Sequence, residues 1–176
     1  ILEPVLQNIG VVKPMDGYLQ GLRTLADEHD FLLVFDEVKT GFRHALGGYQ
    51  SICGVTPDLS SFGKAVANGY PMGIIGGKKK YMDYFIHPEK SKRVLIAGTF
   101  NAHPLTTAAA IATLRKLASP EYNVYDHVNK LGEILEEGLK DIFKKIDSSF
   151  YVARQGSAFC VYFMDHEPRD YHDILM

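Results

Sequence analysis

The chain has 176 residues, of which 46% are hydrophobic and 23% charged, and it carries a formal net charge of −2 at pH 7. This balance is typical of a soluble globular protein whose chain is long enough for a sizeable core. No basic stripe and no apolar stretch of about 18 residues occurs, which argues against nucleic acid and membrane as partners.

The two ends of the sequence and its cysteines bear on what kind of chain this is. ILEPV at the start predicts the end of a strand and HDILM at the other end predicts a helix, so we expect a piece of a longer protein. Residues 1–10 lack the basic leader and cleavage site of a signal peptide. Cys53 and Cys160 are too few for a disulfide framework, and a cytoplasmic, reducing location is expected.

The first third of the chain predicts a strand, a helix and a second strand. Residues 14–30 predict a helix with Asp16 as its N-cap. The apolar run Phe31–Phe35 predicts a strand buried on both faces of a parallel sheet, which makes a βαβ unit with a right-handed crossover. The apolar face of the helix would be formed by Leu19, Leu22, Leu25 and Ala26.

The middle of the chain predicts short strands separated by glycine-rich loops. One short strand ends at Gly63, and residues 68–80 predict a turn, a strand and a second turn. The lysines 78–80 predict a solvated helix start, and RVLIAGTF (93–100) predicts another buried strand.

The last part of the chain has a different character. Residues 104–118 predict a helix rich in small residues that begins with a proline, and residues 124–146 predict a long amphipathic helix. YVARQGSAFCVYF (151–163) predicts two strands around a glycine. We therefore divide the chain into a domain over 1–119 and the start of a second over 120–176.

FLLVFDEVKTGFR raises the question of why the most hydrophobic run of the chain ends in two acids. Asp36 would lie at the carboxyl end of a buried strand, where open α/β sheets bind ligands. Alone, such an acid is a helix cap, a salt-bridge partner, a metal ligand or a partner for a protonated heterocycle. An ATPase would need G-x-x-x-x-G-K-[ST] before the acid. The Gly63–Lys64 pair follows the acid and is succeeded by Ala65, so only a segment before Ile1 could supply that loop.

Two further residues favour the heterocycle. Lys64 stands among Gly63, Gly69 and Gly73, and a lysine held in a pocket can form a Schiff base with an aldehyde. Thr99 offers a hydroxyl and an N–H to a phosphate oxygen. Alone, the lysine would be a surface residue and the threonine a turn cap. Together with the acid they fit pyridoxal 5′-phosphate, with no metal required.

Four separated segments carry a resemblance: EPVLQNIGVV, FDEVKTGFRHALGGYQ, GVTPDLSSFGKAVANGYPMG and AGTFNAHPL. With these segments the sequence resembles the class III family of pyridoxal-phosphate aminotransferases, most closely glutamate-1-semialdehyde aminomutase and its relatives. The resemblance implies an α/β protein of the PLP-dependent transferase fold type I. A partial large domain with a mainly parallel sheet would be followed by part of a small α+β domain.

The resemblance also implies roles for single residues. Lys64 would hold the cofactor as a Schiff base, and Asp36 would pair with the ring nitrogen. Val38 would pack against one face of the ring, and Asn8 would reach the phenolic oxygen. The substrate would be a small amino acid or amine, transferred by an aminotransferase or rearranged by an aminomutase. The alternative is a truncated or non-catalytic fragment with an incomplete site.

The remaining positions concern the cofactor's phosphate and the substrate. Gly98 and Thr99 would bind the phosphate, in this family usually that of the neighbouring subunit's cofactor, which implies a homodimer. Glu3 resembles an acid near the site. Departures from the aminomutase pattern at Leu6–Gln7 and at Ala102–His103 leave the substrate open. His103 is either a substrate contact or a hydrogen-bonded residue at a helix start.

Overall fold

The structure is a computed structural model that describes residues 1–146 and 148–175, and within those ranges the strands form two sheets. The strands are β1 (Val34–Glu37), β2 (Leu59–Phe62), β3 (Ile74–Gly77), β4 (Tyr151–Gln155) and β5 (Ala158–Tyr162). The first sheet is mixed, since β1 runs parallel to β2 and β2 antiparallel to β3. The second sheet is the antiparallel hairpin of β4 and β5, which confirms the predicted strand pair.

Helices connect and cover these strands. They are α1 (Tyr18–Glu28), α2 (Tyr49–Cys53), α3 (Lys79–Met82), α4 (Pro104–Ala118), α5 (Val124–Lys145) and α6 (Tyr171–Ile174). Four short 3₁₀ turns lie at Gln7–Ile9, Lys64–Ala67, Asp83–Phe85 and Lys90–Lys92. The helices predicted over 104–118 and 124–146 are confirmed as α4 and α5. Of the helices in the described ranges, none is both long enough and apolar enough to cross a membrane.

The N-terminal segment lies beside β1 without forming a regular strand. The Leu2 N–H donates to the Val34 carbonyl at 3.0 Å, and the Asp36 N–H donates to the Leu2 carbonyl at 2.8 Å. This single parallel bridge replaces the strand predicted for ILEPV, because Pro4 has no N–H with which to continue the ladder. The segment nevertheless adds a third parallel neighbour to the sheet.

The first helix differs from its prediction in two respects. It begins after Gly17, whose φ of 77° is left-handed, so the predicted N-cap at Asp16 is wrong. A left-handed cap of this kind favours glycine over an acid. Leu19 and Ala26 are buried, but Leu25 is 46% exposed, and the buried face is therefore narrower than the apolar stripe.

Strand β1 begins later than the apolar run predicts. Phe31 and Leu32 are 46% and 43% exposed, and the ladder with β2 starts where Val34 faces Leu59. Pairing therefore sets the strand's start, and hydrophobicity does not. The strand continues through both acids and ends at Glu37.

The strand predicted over 93–100 is wrong. Residues 93–98 are irregular and every residue of 93–100 is exposed. Its backbone bonds are those of turns and one longer link, from the Val94 N–H to the Tyr84 carbonyl at 3.0 Å. An apolar run becomes a strand only when a neighbour completes its ladder. No strand among the described residues pairs with this one.

The main core joins the two ends of the chain. It unites Val5, Leu19 and Phe35 with Ala153 and Tyr162 of the hairpin. The Tyr162 hydroxyl lies 3.0 Å from the Ile9 carbonyl oxygen and 2.8 Å from that of Gly10. A Cβ at Gly10, where φ is 115°, would lie 1.7 Å from that hydroxyl oxygen.

The link between α4 and α5 contains the boundary proposed between 119 and 120, and the division into two domains stays a prediction. Because hairpin residues share one core with the N-terminal segment, the two proposed parts are in contact.

A buried carboxylate clamps the far end of the sheet. Asp58 is 2% exposed and accepts hydrogen bonds from Arg23 Nη1, Lys78 Nζ and the Leu33 N–H at 2.8–2.9 Å. Burial by itself raises the pKa of Asp58, but the hydrogen bonds from Lys78, Leu33 and Arg23 outweigh it and lower the pKa to about 2. Lys78, expected in a solvated run, is therefore part of the clamp.

A second buried carboxylate fixes the end of β1. Glu37 is fully buried, and its two oxygens accept from Thr40 Oγ1 at 2.9 Å and from the Tyr49 N–H at 2.6 Å. They also accept from the N–H and Nε2 of Gln50, at 3.2 and 3.1 Å. The carboxylate thereby satisfies N–H groups at the start of α2, where an anion is favoured. A Cβ at Gly48 would lie 2.7 Å from both oxygens.

We predict that Glu37→Gln destabilises the fold by about 3 kcal/mol. The NH₂ group of the glutamine would face the N–H and O–H donors that now bind the carboxylate, and its buried hydrogens would have no acceptors. The measurement is urea unfolding of the full-length protein. Glu137→Gln on the exposed side of α5 is the matched control and should unfold with the wild-type midpoint. Equal midpoints for the two variants would contradict the anchoring role of Glu37.

Candidate active site

Three chain segments end at the same edge of the first sheet. The bridge at Leu2, strand β1 and strand β2 are mutually parallel neighbours, so their carboxyl ends lie side by side. Asp36 lies near the end of β1 and Lys64 comes two residues after the end of β2, whereas Asn8 lies in the turn six residues after Leu2. Ligands bind at such an edge in open α/β sheets. The topology thus brings Asp36 and Lys64 to neighbouring strand ends.

Asp36 is held with one oxygen occupied. Its Oδ1 accepts from the Val38 N–H at 3.0 Å and from Ser61 Oγ at 3.1 Å. Ser61 faces it directly across the parallel ladder. Within the described parts of the chain no donor reaches Oδ2. The carboxylate is therefore oriented and keeps an oxygen for a ligand.

Lys64 opens the 3₁₀ turn that follows β2. Its φ is 45°, a left-handed value that costs a residue with a side chain about 1 kcal/mol. The turn is held from below, because Val66 and Ala67 are fully buried against Ala110 of α4. The Lys64 side chain itself is exposed and makes no hydrogen bond or ion pair within the described ranges.

A cleft of about 780 Å³ surrounds the Lys64 side chain. Val38 lies in its wall beside Gly63, where an added Cβ would come within 3.4 Å of Val38 Cγ1 and 3.2 Å of the Met72 carbonyl oxygen. A side chain at Gly63 would therefore crowd Val38 and the loop that carries Met72. Lys64 and Val38 line the cleft directly. Asp36 does not line it, but lies two residues before Val38 and pairs with Ser61 of β2, the strand that precedes Lys64. Other lining residues are Phe42, Phe62, Tyr70, Met72 and Ser157.

Asn8 lies in the Gln7–Ile9 turn with an exposed side chain. Its N–H donates to Glu3 Oε2 at 3.2 Å. Glu3, whose role the sequence leaves open, thus supports this turn. Gln7, one of the departures from the aminomutase pattern, hydrogen-bonds the buried ring of His44 through its side-chain nitrogen.

The Gly98–Thr99 segment is not part of the cleft around Lys64. It forms an exposed turn in which the Asn101 N–H donates to the Gly98 carbonyl at 3.1 Å. His103 precedes α4 as its N-cap, with Nδ1 3.4 Å from Thr106 Oγ1. The geometry agrees with the helix-start alternative for His103.

Ser61 and Glu37 both contribute to the site, and their roles are not among the predictions made from the sequence. Ser61 becomes visible only once the β1–β2 register is known, because nothing local marks it as the partner of Asp36. Glu37 gives the stronger signal, since an acid at an alternate, inward position of a strand demands buried donors. As for metals, no three His, Cys, Asp or Glu side chains come together within 1–146 and 148–175.

Comparison with known proteins places the chain in context. A family model described as aminotransferase class-III matches residues 1–175. Glutamate-1-semialdehyde 2,1-aminomutase of Methanothrix thermoacetophila is 44% identical over 175 residues, which cover 99% of this chain and 39% of that protein. The protein of the same name from Haloquadratum walsbyi is 50% identical over 143 residues, or 81% of this chain and 31% of that protein. The chain thus spans at most about two fifths of the length of these curated relatives.

Solved structures agree in fold. An omega-transaminase from Sphaerobacter thermophilus has a TM-score of 0.90 at 32% identity, covering 99% of this chain and 39% of the other. A glutamate-1-semialdehyde-aminomutase from Pseudomonas aeruginosa PAO1 in complex with PMP has a TM-score of 0.81 at 27% identity, covering 98% and 39%. Because the family model matches residues 1–175 of its 176 residues, this chain belongs to the class III aminotransferases and has their fold type I architecture.

Proposed function

We propose that this chain is the part of a pyridoxal-phosphate-dependent aminotransferase or aminomutase that holds the cofactor's ring. The observation that carries the proposal is the placement of Lys64 and Asp36 at neighbouring parallel strand ends, on the edge where such sheets bind ligands. The lysine has no acid partner within the described ranges, and the acid has an oxygen to spare. The substrate class is an amino acid or amine.

The residues present fit the cofactor. The cleft of about 780 Å³ that Val38 and Lys64 line has the volume of a small-molecule site and can hold a flat heterocyclic ring. Lys64 would hold the cofactor through its amine, Asp36 would pair with the ring nitrogen and Asn8 would reach the phenolic oxygen. When bound, pyridoxal phosphate supplies an aldehyde that condenses with amines and a protonated ring that withdraws electrons from the substrate's Cα–H bond.

The chain's own residues then have distinct tasks. Asp36, fixed by Val38 and Ser61, presents a negative charge that favours a protonated ring nitrogen. Once the substrate's amine has displaced it from the cofactor, the freed Lys64 Nζ would be the base that takes the proton from the substrate's Cα. Because the turn that begins at Lys64 is anchored by buried Val66 and Ala67, the Lys64 backbone is held in place while its exposed side chain stays free to move.

We propose further that the working protein is a homodimer. Thr99 lies in an exposed turn away from its own chain's Lys64 cleft, which suits a residue that serves the cofactor phosphate of a partner. The site would then depend on both chains. Two free cysteines, Cys53 and Cys160, fit a reducing cytoplasmic location. The competing function is a non-catalytic piece of the same fold, which would bind no cofactor at Lys64.

We predict that Lys64 is the residue that bonds to the cofactor. After incubation of the full-length protein with pyridoxal phosphate and borohydride, mass spectrometry should find the pyridoxyl label on Lys64. The cofactor's visible absorption should be lost in Lys64→Ala and kept in Lys79→Ala, whose side chain is 84% exposed and paired with Asp83. A label on Lys78 or Lys79 would refute the assignment and favour the non-catalytic alternative.

We predict that Asp36→Asn still binds the cofactor but lowers kcat roughly 10³-fold, because the charge that keeps the ring protonated is lost. Steady-state kinetics and the absorption spectrum test the two halves of this expectation separately. Asp30→Asn, at an exposed left-handed position that asparagine tolerates, is the control and should keep full activity. An Asp36→Asn enzyme with wild-type kcat would remove Asp36 from the mechanism.

We predict that Thr99 acts across a dimer interface. Lys64→Ala and Thr99→Val subunits of the full-length protein, mixed and refolded together, should recover a fraction of wild-type activity above the sum of the two homodimers. The mixed dimer has one site with both lesions and one with neither. If heterodimers form and activity does not return, Thr99 serves its own chain and the shared site is wrong.

A further inference from the structure

A smaller cavity of about 340 Å³ lies on the other side of Lys64. It is bounded by the Gln7 turn, by the loop after β1 and by the start of β5. Arg43 and Ser157 line both this cavity and the larger cleft, as Lys64 does, so the two spaces share a wall. The lining is completed by Gln7, Val11, Lys39, Ala158 and Phe159.

The charge of this cavity has one sign. Three cationic side chains line it, Lys39, Arg43 and Lys64, and neither Asp nor Glu does. Among the described residues, none of the three lies within 4.0 Å of a carboxylate, although eight ion pairs with Lys or Arg form elsewhere on those residues. Cations gathered without an acid repel one another, and an anion in their midst removes that cost.

The guanidinium of Arg43 is held through its Nε, and its two Nη groups have no partner among the described residues. Its Nε donates to the Lys39 carbonyl at 2.9 Å, which fixes the side chain on the loop after β1. Neither Nη donates to an acceptor in the described part of the chain. A half-buried guanidinium with its two Nη groups open is the shape that grips a carboxylate with two hydrogen bonds.

Among the described residues, the other groups around Arg43 do not neutralise its charge. Lys39 Nζ donates to the Gln7 carbonyl at 3.4 Å, a neutral acceptor. His44 is buried, and burial together with the charge of Arg43 lowers the pKa of His44 to about 4, so the ring is neutral at pH 7. The carboxylates of Asp36 and Glu37, at the end of β1, do not line this cavity and form no ion pair with Arg43.

We propose that Arg43 and Lys39 form the subsite that binds the substrate's carboxylate beside Lys64. The inference rests on the proposed function and sharpens it: the preferred substrate is an amino acid, whose amine meets Lys64 while its carboxylate meets Arg43. A simple amine lacks the group that this cavity selects. Arg43 and Lys39 are specificity-determining residues, and no bond is made or broken at either.

The first test is binding of glutarate, a carboxylate without an amine, to the full-length protein by calorimetry. Arg43→Gln should weaken its Kd about tenfold or more, as expected for loss of a charge-assisted bidentate contact. Lys39→Met, which keeps the backbone carbonyl that holds Arg43, should weaken it less. Arg115→Gln, exposed on α4, is the matched control and should bind glutarate as the wild type does. Equal Kd values for Arg43→Gln and Arg115→Gln would overturn the proposal.

The second test separates the substrate from the cofactor as the source of the anion. In Arg43→Gln the KM for an amino-acid donor should rise about tenfold. The kcat/KM for a donor amine without a carboxylate, and the Kd for pyridoxal phosphate, should stay at the wild-type values. Weakened cofactor binding with unchanged glutarate binding would assign the cations to the phosphate and refute the proposal. Glutarate binding is measured with and without cofactor, so failure of the proposed function at Lys64 is distinguishable from failure of this subsite.

Discussion

The buried carboxylate of Glu37 is the constraint on which the site depends. Side chains of a strand alternate between its faces, so fixing Glu37 inward fixes Asp36 outward. The observed burial follows that alternation, with Phe35 and Glu37 buried and Asp36 half-buried between them. Two adjacent acids at the end of an apolar strand therefore do separate work. One anchors the start of α2, and its neighbour is left at the sheet edge with an oxygen unoccupied.

Local sequence patterns predict those parts of the fold that local physics determines. The proline that begins α4, the three-and-four spacing of α5 and the glycine between β4 and β5 are enough to place these elements. Prediction fails where a distant partner decides the outcome. The start of β1 is set by β2, and the apolar segment 93–98 has no neighbouring strand among the described residues. The cap of α1 is a local failure, because the left-handed backbone of Gly17 takes the place of the predicted acid.

The same distinction applies to the candidate site. Asp36, Val38 and Lys64 stand out in the sequence because their motifs are contiguous, and their placement at one sheet edge follows from parallel pairing. Ser61 requires knowledge of the strand register. The cation pair of Lys39 and Arg43 requires knowledge of which charges lack partners, and a charge count of the whole chain hides it, since the net charge is −2.

The contact between Gly10 and Tyr162 couples positions that lie 152 residues apart. A side chain at position 10 would collide with the tyrosine hydroxyl, and loss of that hydroxyl would strip the Ile9 and Gly10 carbonyls of their donor. In an evolving lineage neither residue can therefore change alone without harm, whereas a paired replacement can restore the fit. Positions 10 and 162 should therefore covary across homologous sequences, together with the Gln7–Ile9 turn that contains Asn8.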